Sequence, residues 1–243
     1  MPPATNYDHK RTVNYLPEVH KTKGLTNAQI EIFKALEKKY VHEGRAVDSS
    51  FYEGTQLREQ LAAIRFDSLL DIDEPIVPRF ILEFYASVGL TSSDEGYLSL
   101  HFTLNGNLVN IPLDQFGEVL GIPNQGTCLY SDKWSLTILE SNLDRTAPYV
   151  TPLESKEVIR EHLFIPKNNP TRMYRGREVA RDPFAIELNE LKPEFKKMED
   201  VLRANVMCTI GNRDHFNACL CHIMYNISTR QPFNLAYYVA KRM

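Results

Sequence analysis

The clearest alternation of apolar and polar positions lies at 98–104, where Leu98, Leu100, Phe102 and Leu104 interleave with Ser99, His101 and Thr103. That period of two predicts a strand with one buried face. Asn105 and Gly106 follow, two residues that tolerate the positive φ a type I′ turn needs, so a returning strand is expected. Leu113, Phe116, Val119 and Leu120 then fall at helical spacing, and Gly121 with Pro123 ends the run. The segment 97–121 is therefore read as a β-hairpin leading directly into a short helix.

Elsewhere the pattern is helical. Thr26 and Gln29 have the spacing of a capping box, and Ile30, Phe33, Leu36 and Tyr40 continue it as a helix to about Val41, with Lys34, Lys38 and Lys39 on its wet side. A second helix is expected over about Thr55–Ile64. A third runs from Pro78 to Val88, with proline in its first turn and Gly89 placed to stop it. From 124 to 150 the chain reads as irregular and holds Trp134, the single tryptophan. Thr151 and Glu154 form another capping-box pattern, with Pro152 at the first helical position, opening a helix to about Leu163. The last third predicts helices near 184–191, 194–206, 214–228 and 233–241, broken at Pro193, Gly211-Asn212 and Pro232. Residues 1–24 lack apolar periodicity and carry Lys10, Arg11, Lys21 and Lys23, which predicts a flexible basic arm before a helical domain at 25–243. The expected fold class is mostly α with a small β-hairpin, an α+β arrangement in one domain.

Composition narrows the function classes. Apolar residues make up 43% of 243, enough for a sizeable core. Lys and Arg number 28 against 31 Asp and Glu, so nucleic acid would have to be held by a local patch. No run has the ~18 apolar residues of a membrane helix, and the N-terminus has no secretory pattern. Cys128, Cys208, Cys219 and Cys221 are awkwardly spaced for disulfides, which favours a reducing, intracellular setting. Lys21 and Lys23 are too sparse for a localisation signal, so cytoplasmic and nuclear locations both stay open.

Three clusters could carry chemistry. Cys208, His215, Cys219, Cys221 and His222 include metal-capable groups, but the paired-cysteine spacing of a structural zinc site is missing. On a helix Cys219 and His222 sit about one turn apart and could share a metal, with Cys221 pointing elsewhere; the plainer reading makes Cys219, Leu220, Ile223, Met224 and Ile227 a core-facing surface with no metal. Asp71, Asp73 and Glu74, with Asp94 and Glu95, could hold magnesium as a nuclease or transposase requires. No third carboxylate stands at a recognisable distance, and such residues are ordinary at turns. The segment 171–182 is the most basic internal stretch, with Arg172, Arg175, Arg177 and Arg181, and Tyr174 available to stack on a base. Its competing reading is a solvated surface segment. Walker loops, dinucleotide glycine patterns and nucleophile elbows are missing from the sequence, and no cofactor or small-molecule substrate is implied.

Three stretches resemble the plant retroelement family of Athila-type first-open-reading-frame proteins, a plant transposon protein domain. One is Glu74-Pro75 through Pro78 to Glu83-Phe84-Tyr85-Ala86, similar to a proline-led helix ending in Glu-Phe-Tyr-Ala. Another is the hairpin followed by Leu113 to Pro123, similar to a strand and a Phe-x-x-x-Leu-Gly helix. The third is Ile210 to Asp214, then the apolar helix and Gln231 to Tyr237, similar to a Gly-x-Arg-Asp loop before two helices. The likeness covers about 30–243. It implies a non-catalytic, gag-region structural protein of a long-terminal-repeat retroelement, expected to self-associate and to touch RNA weakly through its basic segments. The sequence has no zinc knuckle, no Asp-Ser/Thr-Gly protease triplet and no Tyr-x-Asp-Asp polymerase core. A piece of a longer product and a decayed or domesticated copy are both consistent with that. Two other readings stand beside it: a metal-dependent nuclease or transposase, and a host protein-interaction module derived from such an element.

Overall fold

The computed structural model describes residues 22–38, 46–71, 77–141, 147–166, 171–181, 183–207 and 216–243. The arm at 1–21, Asp73, Glu74, Cys208, the Gly211–Asp214 loop and His215 lie outside the described residues. The chain is mostly helical with a small three-stranded antiparallel sheet, the α+β class expected. No helix among the described residues is long and apolar enough to cross a membrane.

The first helix, α1 (Asn27–Leu36), starts at the Thr26 capping box, where Thr26 Oγ1 accepts from Gln29 N and Gln29 Oε1 accepts from Thr26 N. Two elements follow, α2 (Ser49–Tyr52) and α3 (Leu57–Ala63), and then a 3₁₀ turn at Asp67–Leu70. The proline-led helix is α4 (Pro78–Ser87). It gives way to a strand that periodicity missed, β1 (Gly89–Ser92), which pairs with β2 (Leu98–Leu104). Gly89 is thus not a helix stop. It opens a strand pressed against His101, where a Cβ would sit 2.3 Å from His101 Nε2.

The hairpin forms as expected. Asn105 (φ 52°) and Gly106 (φ 78°) make the turn, and β3 (Asn107–Pro112) returns along β2 to complete the order β1-β2-β3. In α5 (Leu113–Leu120), Leu113 and Phe116 are buried, but Val119 is 70% exposed and Leu120 47% exposed. Val119 lies about a third of a turn off the line of Leu113 and Phe116. Leu120 sits where Gly121, in the left-handed conformation, closes the helix, so neither completes the core stripe.

The remaining elements are α6 (Leu136–Ser141), α7 (Lys156–Leu163), β4 (Thr171–Tyr174), β5 (Arg177–Ala180), α8 (Lys196–Leu202), α9 (Ala218–Thr229) and α10 (Leu235–Arg242). Four sequence expectations change here, the first being that 124–150, read as irregular, contains α6. Thr151 does not cap α7: its Oγ1 accepts from Cys128 N at 2.8 Å, and Ser155 is the cap, accepting from Val158 N. The helix expected at 184–191 is only a 3₁₀ turn, Leu188–Glu190, because Glu187 and Glu190 cap it at once. The stretch expected as a helix at 194–206 is α8 continued by a π-helical turn, Arg203–Met207.

Helix α9 is the centre of the structure. From Ala218 to Ile227 every residue is buried, and α3, α7 and α8 pack around it. Helix α10 packs on α5, which joins the sheet to this centre. Asn226 Nδ2 donates to Thr127 Oγ1 (3.0 Å) and to the Pro232 carbonyl (3.2 Å). Asn234 caps α10 through Tyr237 N and donates to the Asn124 carbonyl. These amides satisfy backbone groups that the loops bury.

Helix α4 docks on the sheet through charge as well as oil. Arg79 and Glu83 are an ion pair at 2.7 Å with side chains 4% and 0% exposed. Glu83 Oε2 also accepts from Asn105 N (2.7 Å), and Ser87 Oγ accepts from Thr103 N (2.8 Å). Glu83→Ala strands Arg79 and the turn amide together, so it is expected to cost about 3–5 kcal/mol in urea unfolding. A loss of under about 1 kcal/mol, the range of a surface pair, would show the pair to be incidental.

Candidate functional site

The basic segment at 171–181 folds as a second hairpin. β4 and β5 pair antiparallel, with Arg172 opposite Val179 and Tyr174 opposite Arg177. Arg175 (φ 49°) and Gly176 (φ 75°) form its turn, both in the left-handed region. The strands are only four residues each, too short for periodicity to reveal. The signal that could have found them is Arg175-Gly176 flanked by Met173-Tyr174 and by Val179.

The five residues singled out there do not serve alike. Arg175 and Arg177 are exposed at the tip of the hairpin. Arg181 is a tie: its Nε donates to the Thr171 carbonyl (3.0 Å), and its Nη1 bonds Glu187 Oε1 (3.2 Å), with both side chains about three-quarters buried. Thr171 Oγ1 donates to Glu178 Oε1 at 2.6 Å, so an acidic group stands in the same hairpin. Arg172 and Tyr174 stand on β4 as the register places them.

Of the described thiols, Cys128 is half-buried, while two lie in the core. Cys219 and Cys221 are fully buried in α9, and desolvation pushes Cys219 up to about 12 and Cys221 higher still. Cys219 Sγ lies 3.0 Å from Ser131 N and 3.3 Å from its carbonyl, which ties α9 to the preceding loop. Cys221 does point away from Cys219, but into another wall of the same core, since α9 is covered on all sides. No group of three or more His, Cys, Asp or Glu placed to hold a metal occurs among the described residues.

Of the carboxylates, Asp71 pairs with Arg58 at 3.5 Å on the surface, while Asp94 and Glu95 lie in the exposed turn between β1 and β2. Glu95 accepts from Ser93 Oγ, which lowers its pKa. A Ser–His pair went unnoticed in the sequence: His162 Nε2 and Ser228 Oγ are 2.8 Å apart, joined across 66 residues of chain. Ser228 Oγ also lies 2.9 Å from the Tyr225 carbonyl, so the single hydroxyl proton is shared between two acceptor positions. The pair fastens α7 to α9.

Comparison of the chain with protein-family models, curated proteins and solved structures gave no match in any of the three.

His162 carries a pH consequence. Burial, and then the nearby Lys192 charge, lower its pKa below 6.5, while Glu194 opposes them. The unfolded chain therefore binds the extra proton first, and stability is full above pH 6.5 and falls as pH drops toward the folded pKa. Urea midpoints of the wild type should fall between pH 7.5 and 5.5 by more than those of His162→Gln. Parallel profiles for the two proteins would remove His162 from the account.

Proposed function

We propose that this chain is a non-catalytic structural protein of the retroelement gag-region type, which self-associates and contacts RNA weakly through its second hairpin. The supporting observation is where the resemblance-bearing residues sit. Glu83 is buried and holds the β2–β3 turn, Gly121 closes α5, and Asn234 caps α10. Such residues define a scaffold. Cys219 and Cys221 are likewise packed in the core, and His162 is bonded to Ser228 between two helices.

What the scaffold presents outward is a basic tip and scattered apolar side chains. Arg175 and Arg177 can reach two phosphates, and Arg181 holds the base of the hairpin against Glu187. Each phosphate contact on a single strand contributes about 0.7 to the slope of log K against log salt. Replacing Arg175 and Arg177 together with Ala should lower RNA affinity and flatten that slope by about 1.4, read by fluorescence anisotropy on single-stranded RNA. Arg181→Ala should instead lower the melting temperature and leave the slope in place. Unchanged affinity and slope in the double variant would take the hairpin out of the proposal.

The exposed apolar residues give the interaction-module reading its support. Leu108 is 76% exposed, Val119 70% and Met173 69%. Partner-protein binding through such residues, with no RNA affinity at low salt, would favour that reading over the first.

A further inference from the structure

Among the described residues, strand β3 is a sheet edge with no further strand beside it, approached only at its turn, where Lys23 and Gly24 lie against Gly106. Its register with β2 decides which of its backbone groups face outward. Thr103 N and Asn105 N bond Ser87 and Glu83, on the side of β2 away from β3. Thr103 and Leu108 are therefore a non-hydrogen-bonded pair, and by alternation Leu108 and Asn110 turn their backbone N–H and C=O groups to the free edge, which ends at Pro112, the N-cap of α5. Among the described residues, nothing outside the sheet hydrogen-bonds the backbone of 107–111, while the Pro112 carbonyl serves α5. Asn107, Leu108, Asn110 and Pro112 are exposed.

Edges of this kind are normally blunted by charge. The other edges here are: Arg172, Arg177 and Glu178 lie on β4 and β5, and β1 is short and runs into Asp94 and Glu95. From Gly96 to Leu113 the chain has no Asp, Glu, Lys or Arg.

We infer that β3 is a self-pairing edge, joining β3 of a second copy antiparallel across a two-fold axis to make one continuous sheet. The inference rests on the self-associating reading above and names the surface it uses. An unpaired ladder of N–H and C=O groups is satisfied by extended backbone. A two-fold contact also sets each residue close to its own twin, so an uncharged strand is what such a contact needs. The backbone selects the register. Centring the dyad on Val109 sets Leu108 opposite Asn110 of the second copy, and both residues can donate and accept. Centring it on Leu108 leaves Asn110 beside the turn, and centring it on Asn110 sets Leu108 against Pro112, which has no N–H.

The test compares variants by sedimentation velocity across a concentration series. The wild type should rise in mass from the 28.0 kDa protomer toward twice that value. Asn110→Pro removes an outward donor from an edge strand, where proline is tolerated, and should stay at protomer mass with an unchanged circular dichroism spectrum. Val109→Cys sets two thiols in a non-hydrogen-bonded pair about 4.5 Å apart at Cα, within disulfide reach. Oxidation should give a dimer linked at 109 by peptide mapping. Leu108→Cys, offset by two residues from its twin, should not link.

Association of Asn110→Pro equal to wild type, or no link at 109 where the wild type associates, would overturn the edge assignment while leaving self-association in place. Should Asn110→Pro fail to fold, the link at 109 decides alone. A wild type that stays at protomer mass throughout would overturn both.

Discussion

The sheet and the helices around it are joined by a polar ladder on one side of α4. Arg79, Glu83 and Ser87 recur every four residues, so they stack along one line of the helix. The line runs past the end of β1, where β2 would otherwise have an unsatisfied edge. Ser87 takes the amide of Thr103 and Glu83 takes that of Asn105, so the helix continues the ladder that β1 begins. A buried carboxylate is costly alone, and here it is matched by the Arg79 guanidinium and by a backbone amide. Phe84 on Phe102, with ring centroids 4.9 Å apart, adds apolar contact beside the ladder. The hairpin turn, the strand register and the docking of α4 thus depend on one carboxylate.

The same economy recurs in the helical part. Arg160 with Glu190 and Arg203 with Glu199 are further deep pairs, and Arg203 also lies over the Phe216 ring. Each joins segments or stiffens a turn where the backbone departs from regular helix: the 3₁₀ turn at 188–190 in one case, the π-turn at 203–207 in the other. Among the described residues, Arg79, Glu83, Glu190, Glu199 and Arg203 are the buried charges, and they fall at these junctions.

Much of the fold was legible in the sequence, for reasons that differ by element. The β2–β3 turn could be read because two adjacent positions need positive φ, and Asn-Gly meets that need locally. The Thr26 cap could be read for the same local reason, whereas the similar pattern at Thr151 failed because Cys128 claims the hydroxyl from 23 residues away. Helix α9 could be read as core from its apolar run. Strand β1 and the β4–β5 hairpin escaped because strands of four residues are too short to show a period of two. Among the candidate site residues, Arg181 looked like its neighbours, and only the fold distinguishes a guanidinium held by Glu187 from ones at a hairpin tip. The role of Glu83 was hidden in the same way, since its partner amide lies 22 residues on.

The most direct measurement of the ladder is amide hydrogen exchange, residue by residue, at low protein concentration. Asn105 is an exposed turn residue, and a free amide there would exchange quickly. If Glu83 holds it, Asn105 and Thr103 should be protected to the level of the Leu100 amide within the sheet. Exchange of Asn105 as fast as that of neighbouring Gly106 would contradict the central place given to that carboxylate.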